Sequence, residues 1–117
     1  MSSRLLIYIG EGQAFDADQT IQAIASIPGV LTPRRGAFIG AVFECEFEAG
    51  GRNTIVRLSQ DLETVAANGL GDESLAFALA LQNRTAADLR AIDSGYSFDL
   101  RLRDFQTVED LRQAMAG

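Results

Sequence analysis

The chain contains no histidine, no tryptophan and no lysine, so its ten basic residues are all arginine. Without histidine, neither a Ser-His nor a Cys-His catalytic pair can exist. Zinc would find few of the nitrogen and sulfur ligands that it prefers. Cys45 is the only cysteine, which excludes an intramolecular disulfide and is typical of the reducing cytosol. We therefore expect no metal site and no cofactor.

Long apolar runs are absent as well. The run that follows the N-terminus, Leu5 to Ile9, is too short for a signal peptide. No segment approaches the ~20 apolar residues that a membrane helix needs. Arginine without lysine, together with frequent alanine, is typical of a GC-rich bacterial genome. We expect a cytoplasmic bacterial protein that does not associate with membranes.

Acidic residues outnumber basic ones by 16 to 10, which gives a formal net charge of −6. Nucleic-acid binding depends on basic residues that meet phosphates, so this charge opposes it. The same charge favours a basic protein partner. With 117 residues, of which 47% are apolar, we expect residues 1–117 to form a single domain.

Residues Ala37 to Ser59 predict a β-hairpin that turns at Gly50-Gly51. This register makes one side of the hairpin apolar and the other charged, and a slip of one residue would invert both sides. The inward pairs are Phe43–Leu58, Cys45–Val56 and Phe47–Thr54, and the outward pairs are Glu44–Arg57, Glu46–Ile55 and Glu48–Asn53. Cys45 is therefore expected to be an inert core residue.

The remaining elements follow from periodicity and capping signals. Leu62 to Gly69 is compatible with a strand or a helix, and this choice stays open. The predicted elements are a strand at Leu5–Ile9, a helix capped by Asp16 or Asp18 and ended by Pro28-Gly29, a turn at Pro33–Gly36, a helix over Leu75–Asn83 capped by Asp72, a short helix at Thr85–Ala91, a strand at Tyr96–Arg103, and a closing helix capped by Thr107.

This order is β-α-β-β-α-β with an added C-terminal helix, which predicts an α+β, ferredoxin-like sandwich: a four-stranded antiparallel sheet with helices on one face. The segment Ile24 to Val30, IASIPGV, resembles the first-helix exit of ferredoxin-like domains such as the ACT and heavy-metal-associated domains. The latter carry a metal-binding Cys-x-x-Cys after their first strand. This chain has Gly10-Glu11-Gly12-Gln13 there, so their metal function does not carry over.

Two short motifs resemble signatures of catalytic or cofactor sites, but helix capping and turn formation explain their residues better. Gly10-x-Gly12 lacks the third glycine of a dinucleotide fingerprint, because Phe15 stands in its place. Asp16-Ala17-Asp18-Gln19-Thr20 spells the Asp-x-Asp-x-Thr signature of haloacid dehalogenase-type phosphotransferases, but no lysine is available to neutralise a phosphate. Carboxylate acid-base catalysis stays open, although no pair is marked by its spacing. We predict that the protein is not an enzyme.

The sheet face away from the helices is the candidate binding surface. In a ferredoxin-like strand order it would show an apolar centre with a charged rim, which favours a protein partner. A plainly solvated face, or coverage by the closing helix, is the alternative. The predicted partner-binding residues are Tyr8, Val42, Glu44, Glu46, Glu48, Ile55 and Arg57.

Two functional hypotheses follow. The first is a non-catalytic module that inhibits a basic protein, because small acidic α+β domains without catalytic residues look like the immunity proteins of bacterial toxin systems. In that case Glu44, Glu46 and Glu48 would steer the partner, and Tyr8 and Ile55 would anchor it. The second is a homodimeric ligand-binding regulatory domain of the ACT type.

Overall fold

The computed structural model describes residues 3–10, 12–38 and 40–117. Glu11, in the predicted turn after the first strand, and Ile39, in the predicted hairpin, lie outside the described residues. The elements are β1 Arg4–Tyr8, α1 Ala17–Ala25, β2 Val30–Phe38, β3 Ala41–Ala49, β4 Arg52–Ser59, β5 Val65–Asn68, α2 Asp72–Gln82, β6 Arg90–Asp93, β7 Asp99–Arg101, a 3₁₀ turn Leu102–Asp104, and α3 Val108–Met115.

The seven strands form one antiparallel sheet in the order β2-β3-β4-β5-β1-β6-β7. The predicted four-stranded ferredoxin-like sheet is therefore wrong, although the chain is α+β. A ferredoxin-like order would place the first strand directly beside the second strand of the hairpin. Here β5 lies between β1 and β4, and β2 and β6 add two further strands. The segment Leu62–Gly69, whose state the sequence leaves open, contains strand β5.

Strand β2 occupies the segment predicted as a turn at Pro33–Gly36. Proline has no backbone N–H to donate, so a sheet tolerates it chiefly in an edge strand or at a bulge. Both conditions hold, because β2 is an edge strand and its pairing with β3 is interrupted between Leu31 and Arg34. Such an interrupted edge also opposes pairing with another chain.

The predicted hairpin register is confirmed pair by pair from Phe43–Leu58 to Ala49–Arg52. Gly50 and Gly51 have φ angles of 61° and 80°, as a type I′ turn requires. The first strand begins at Ala41 instead of Ala37, because Ala37 and Phe38 belong to β2. The hairpin thus extends into a three-stranded meander.

The three helices pack on one face of the sheet, and the core lies between the helices and the sheet. Phe47 on β3 meets Phe77 on α2 edge to face, with ring centroids 5.6 Å apart. The buried strand residues alternate in sequence, and Cys45 is among them, which confirms its predicted core position. This side of the sheet is called the inner face, and the opposite side the outer face.

The helix caps follow the predicted chemistry at two of three sites. The amide of Gln19 donates to Asp16 at 2.9 Å, and that of Asp110 donates to Thr107 at 3.1 Å. At α2 the predicted Asp72 cap is wrong, because Gly71 is the N-cap residue and Asp72 the first helical residue. The Asp72 carboxylate accepts a hydrogen bond from Arg112 of α3 instead. Helix α3 therefore packs on α2 and does not cover the outer face.

The C-terminal third departs most from prediction. The predicted helix at Thr85–Ala91 is wrong, since Arg90–Asp93 is strand β6 and pairs with both β1 and β7. The predicted strand Tyr96–Arg103 is reduced to Asp99–Arg101. Leu102 begins a 3₁₀ turn. Its amide donates to the carbonyl oxygen of Leu89, the residue before β6, at 2.9 Å. Tyr96 belongs to the turn between β6 and β7.

Candidate functional site

The outer face carries a row of side chains that crosses six strands. Directly paired residues of antiparallel strands lie on the same face, so the pairings define the row. Its centre is apolar and both of its ends are charged. From β3 to β7 the row consists of Glu44, Arg57, Ala66, Leu6, Ile92 and Asp99. None of the helices in the described ranges of the chain crosses this row.

Glu44 ends the row on the hairpin side, and its charge is used within the protein. Its carboxylate lies 2.5 Å from the Arg34 guanidinium and 2.7 Å from that of Arg57. Only 13% of the Glu44 side chain is exposed. The predicted Glu44–Arg57 pair is thereby confirmed. Because two arginines surround this carboxylate, it contributes less to long-range steering than its two neighbours on the same strand.

Glu46 and Glu48 carry the acidic charge of the hairpin. Glu46 accepts a long hydrogen bond of 3.4 Å from the Thr32 hydroxyl, and Glu48 is exposed beside the turn. Ile55 lies opposite Glu46 and is half-buried. Val42 precedes them on β3 and also packs against the core. Five of the seven predicted partner-binding residues therefore share the outer face of one hairpin, whereas Val42 lies at the irregularity between Ala41 and Phe43 and has no paired residue on β4.

Tyr8, the seventh predicted residue, lies on the same face but apart from the hairpin. Since β5 separates β1 from β4, Tyr8 is two strand spacings, about 10 Å, from the strand that carries Ile55. Its hydroxyl donates to both carboxylate oxygens of Asp99, at 3.1 and 3.2 Å. Arg90 donates to the same carboxylate at 2.9 Å. Burial, reinforced by the hydrogen bond to Asp99, raises the pKa of Tyr8, so the phenol is neutral at pH 7.

Tyr8 borders a groove of about 450 Å³ on the outer face. This tyrosine groove lies between the β1–α1 loop, the entry to β5, and the turn that joins β6 to β7. Its floor is apolar, and among its described lining residues the only formal charge is that of a carboxylate. The lining residues are Leu6, Tyr8, Gly10, Gly12, Gln13, Glu63, Thr64, Ile92 and Tyr96.

Tyr96 forms the outer wall of the tyrosine groove and is 75% exposed. Its φ angle is +57°, in the left-handed region that aromatic residues rarely adopt. Asp93 stabilises the turn by accepting two backbone hydrogen bonds. The Tyr96 amide donates to the Asp93 carbonyl oxygen at 3.1 Å, and the Ser97 amide donates to the Asp93 carboxylate at 2.7 Å. The Ser97 hydroxyl donates to the second carboxylate oxygen. These bonds hold the pKa of Asp93 below its ordinary value.

The sequence pattern does not predict this position of Tyr96. The predicted strand would begin at Tyr96, and that prediction is wrong, because the strand begins at Asp99 and Tyr96 is exposed in the turn before it. The available signal is Asp93-Ser94-Gly95, a run of residues typical of turns, followed by a serine that can bond back to the aspartate.

Two further features bear on catalysis. Burial raises the pKa of Cys45 to about 12, and the nearby Glu44 and Glu46 add to this rise, so the thiol is not a nucleophile. Within residues 3–10, 12–38 and 40–117, no group of three potential metal ligands comes together.

A crevice of about 290 Å³ lies between α1 and the segment after α2, where Arg84 donates to Ser26 at 3.1 Å.

Comparisons with protein-family models, curated proteins and solved structures give no match to this chain. Of the helices in the described part of the chain, none is long and apolar enough to cross a membrane. The outer face and its tyrosine groove are therefore judged on their own chemistry.

Proposed function

We propose that this chain is a non-catalytic protein-binding module that uses its outer face to inhibit a basic protein. The observation that carries the proposal is the exposed side chain of Tyr96, in a hydrogen-bonded turn beside the apolar strip of the sheet that Ala66, Leu6 and Ile92 form. Tyrosine supplies a large contact area at low conformational cost and is enriched where binding energy concentrates. A solvated face with no partner gives no reason to hold an aromatic side chain in a strained backbone conformation.

The charge of the surface supports a basic partner. The formal net charge of the chain is −6, and Glu46, Glu48 and Glu63 take part in none of the ion pairs found among the described residues. Rim charges of one sign accelerate encounter with a partner of the opposite sign and weaken their effect as salt increases. The apolar strip is then buried against the partner and holds the two proteins together after the encounter.

Several features support a module without chemistry of its own. The chain has no histidine or lysine, and its one thiol is buried. Asp99 and Asp88, two carboxylates exposed enough to act on a substrate, are hydrogen-bonded to arginines. A cytoplasmic inhibitor of the immunity type is the role that fits these features. The alternative of an ACT-type dimer loses the ferredoxin-like sheet on which it rested.

Site-specific photo-crosslinking tests the proposal. A benzophenone amino acid placed at Ile55 reports on the outer face, and the same group at Gln22, exposed on α1, reports on the helix side. Crosslinking is performed in bacterial lysate, and the captured protein is identified by mass spectrometry and purified. We expect a basic protein to be captured from Ile55 and not from Gln22.

The purified partner then gives a quantitative test. The double reversal Glu46→Arg and Glu48→Arg should weaken its affinity at least tenfold and flatten the dependence of Kd on salt. The double reversal Glu109→Arg and Asp110→Arg changes the net charge equally on the helix side and should leave Kd unchanged. Equal capture from both positions, or equal effects of both reversals, would show that the outer face is not the binding surface.

A further inference from the structure

We infer that the tyrosine groove accepts an arginine side chain of the partner. The inference rests on the proposed function, because it names the group that the basic protein inserts into the outer face. Three properties of the groove support it: two aromatic residues line it, a carboxylate is the only formal charge among its described lining residues, and hydrogen bonds hold the backbone of the turn that carries Tyr96.

The aromatic residues suit a guanidinium group. A planar cation is attracted to the electron-rich face of an aromatic ring, and arginine stacks on such rings more readily than lysine does. Tyr8 and Tyr96 line the same groove, over a floor that includes Leu6 and Ile92. The apolar floor is complementary to the three methylene groups of an arginine side chain.

The electrostatics of the groove also favour a cation. Glu63 is exposed on the wall, and its amide donates to Asp61 at 2.9 Å, so a second carboxylate lies in the same loop. The hydrogen bond from Ser59 holds the pKa of Asp61 below its ordinary value, which keeps this carboxylate charged. Arg90 lies beside Tyr8, but its charge is balanced by Asp99. An entering guanidinium therefore meets the Glu63 carboxylate at the wall of the groove.

The backbone of the turn that carries Tyr96 is held by hydrogen bonds before the partner arrives. Asp93 fastens the turn from one side, and the Ser94 hydroxyl accepts the amide of Arg4 on β1 at 2.9 Å from the other. A turn whose backbone is already ordered loses little backbone entropy on binding. The groove thus resembles a preformed socket more than a loop that closes around its ligand.

The test compares arginine with its neutral isostere. N-acetyl-arginine methylamide and N-acetyl-citrulline methylamide are titrated into the ¹⁵N-labelled chain at constant ionic strength, and amide shifts are followed by NMR. We expect shifts at Ile92 and Tyr96, with a Kd for the arginine compound at least about 3-fold lower than for the citrulline compound. Equal Kd values, or shifts confined to other surfaces, would overturn the inference.

Substitutions assign the preference to the groove. Tyr96→Phe retains the ring and should preserve the preference for arginine, whereas Tyr96→Leu should bring the ratio of the two Kd values closer to 1. Glu63→Gln should weaken the arginine compound alone, and the matched Glu109→Gln on α3 should change neither. The dispersion of the NMR spectrum shows that each variant is folded. If Tyr96→Leu left the ratio unchanged, the aromatic wall would have no part in recognition.

These titrations are separable from the test of the proposed function, because they need no partner protein. If the crosslinking captures a partner from Ile55 and the groove shows no preference for arginine, the protein-binding role stands and this inference is wrong. If the groove prefers arginine and no partner is captured from Ile55, the inhibitor role of the outer face is wrong instead.

Discussion

Asp93 accepts two hydrogen bonds from Ser97, one from the amide at 2.7 Å and one from the hydroxyl. This pair closes the turn that presents Tyr96, and it depends on the charge of the aspartate. The hydrogen bonds from Ser97 lower the pKa of Asp93 in the folded chain. An acid with a lowered folded-state pKa stabilises the fold above its unfolded pKa, and this contribution is lost as the pH falls through the folded value.

We therefore expect Ser97→Ala to lower the free energy of unfolding at pH 7 and to lose this effect in acid. The difference from the unsubstituted chain should shrink as the pH falls below about 4, the ordinary pKa of aspartate, because the unfolded chain then binds a proton at Asp93, and it should shrink further once the folded carboxyl is protonated as well. Urea unfolding between pH 2 and pH 7 measures this. The exposed Ser3→Ala is the control. A difference that is constant across this range would mean that the Asp93 charge is irrelevant to the turn.

Glu44 should contribute to stability where its neighbour on β3 does not. Each charged hydrogen bond contributes about 1.5–3 kcal/mol when well shielded, but the Arg34 and Arg57 side chains are 59% and 41% exposed. We expect Glu44→Gln to cost about 1 kcal/mol of unfolding free energy, and Glu48→Gln, beside the turn, less than about 0.5 kcal/mol. Chemical denaturation of both variants at low salt checks this. Equal losses would contradict a specific role for the two arginine contacts.

Cys45 should be chemically silent in the folded chain. Its thiol is buried, and its pKa is raised to about 12, against about 8.5 for a free cysteine. We expect a thiol reagent at pH 8 to label it only as fast as the chain unfolds, so labelling should accelerate steeply in urea. The exposed Asn53→Cys, in a Cys45→Ala background, should react at once without urea. Rapid labelling of Cys45 in native buffer would contradict the core position.

The raised pKa of the Cys45 thiol should also affect the free energy of unfolding at alkaline pH. A raised folded-state pKa means that the folded chain holds its proton more tightly than the unfolded chain does. The resulting stabilisation is complete below about pH 8.5 and is lost as the pH rises towards 12. Cys45→Ala removes this contribution, so its unfolding free energy should decline less between pH 9 and pH 11 than that of the unsubstituted chain. Parallel decline in the two proteins would count against the raised pKa.

Gly29 cannot carry a side chain, because a Cβ atom there would lie 2.5 Å from the carbonyl oxygen of Glu48. Its φ angle of +101° adds strain for any other residue. Gly12 has φ +75° but no atom within 4 Å of its Cβ position, so it is the matched control. We expect Gly29→Ala to cost more than about 2 kcal/mol and Gly12→Ala about 1 kcal/mol, measured by thermal or urea unfolding.

The hairpin could be predicted from sequence because its information is local. The glycine turn and the alternation of Phe43, Cys45 and Phe47 agree on one register, and the structure contains that register. Strand β2 could not be predicted, because Pro33 and Gly36 are typical of turns. Only the position of β2 at the sheet edge allows a strand to contain this proline. Strand β6 spans four residues, too few to show a period, and is defined by pairing with β1 and β7.

The candidate site is likewise predictable from the sequence only in part. The outward pair Glu44–Arg57 follows from the hairpin register, and the structure contains it. The tyrosine groove depends on long-range contacts, since β5 and β6 bring Thr64 and Ile92 to the sides of β1. The alternation around Tyr96 predicts a strand, and hydrogen bonds from Ser97 to Asp93 override it.

The backbone of Tyr96 should show a conflict between stability and binding. A residue with a side chain pays about 1–2 kcal/mol to adopt the left-handed conformation, a cost that glycine avoids. Because the Tyr96 side chain is 75% exposed, its removal forfeits little buried area. We therefore expect Tyr96→Gly to leave the free energy of unfolding unchanged or to raise it by up to about 1 kcal/mol, although glycine also loosens the unfolded chain.

The same substitution should reduce the preference of the tyrosine groove for arginine over citrulline. Tyr96→Ala keeps the backbone strain and removes the ring, so it should reduce the preference equally without gaining stability over the unsubstituted chain. Urea unfolding and the NMR titration, performed on the same samples, measure the two properties together. If Tyr96→Gly proved clearly less stable than Tyr96→Ala, the left-handed backbone would carry no strain. The reason for fixing Tyr96 in that conformation would then be structural, and its exposure would no longer favour a binding role.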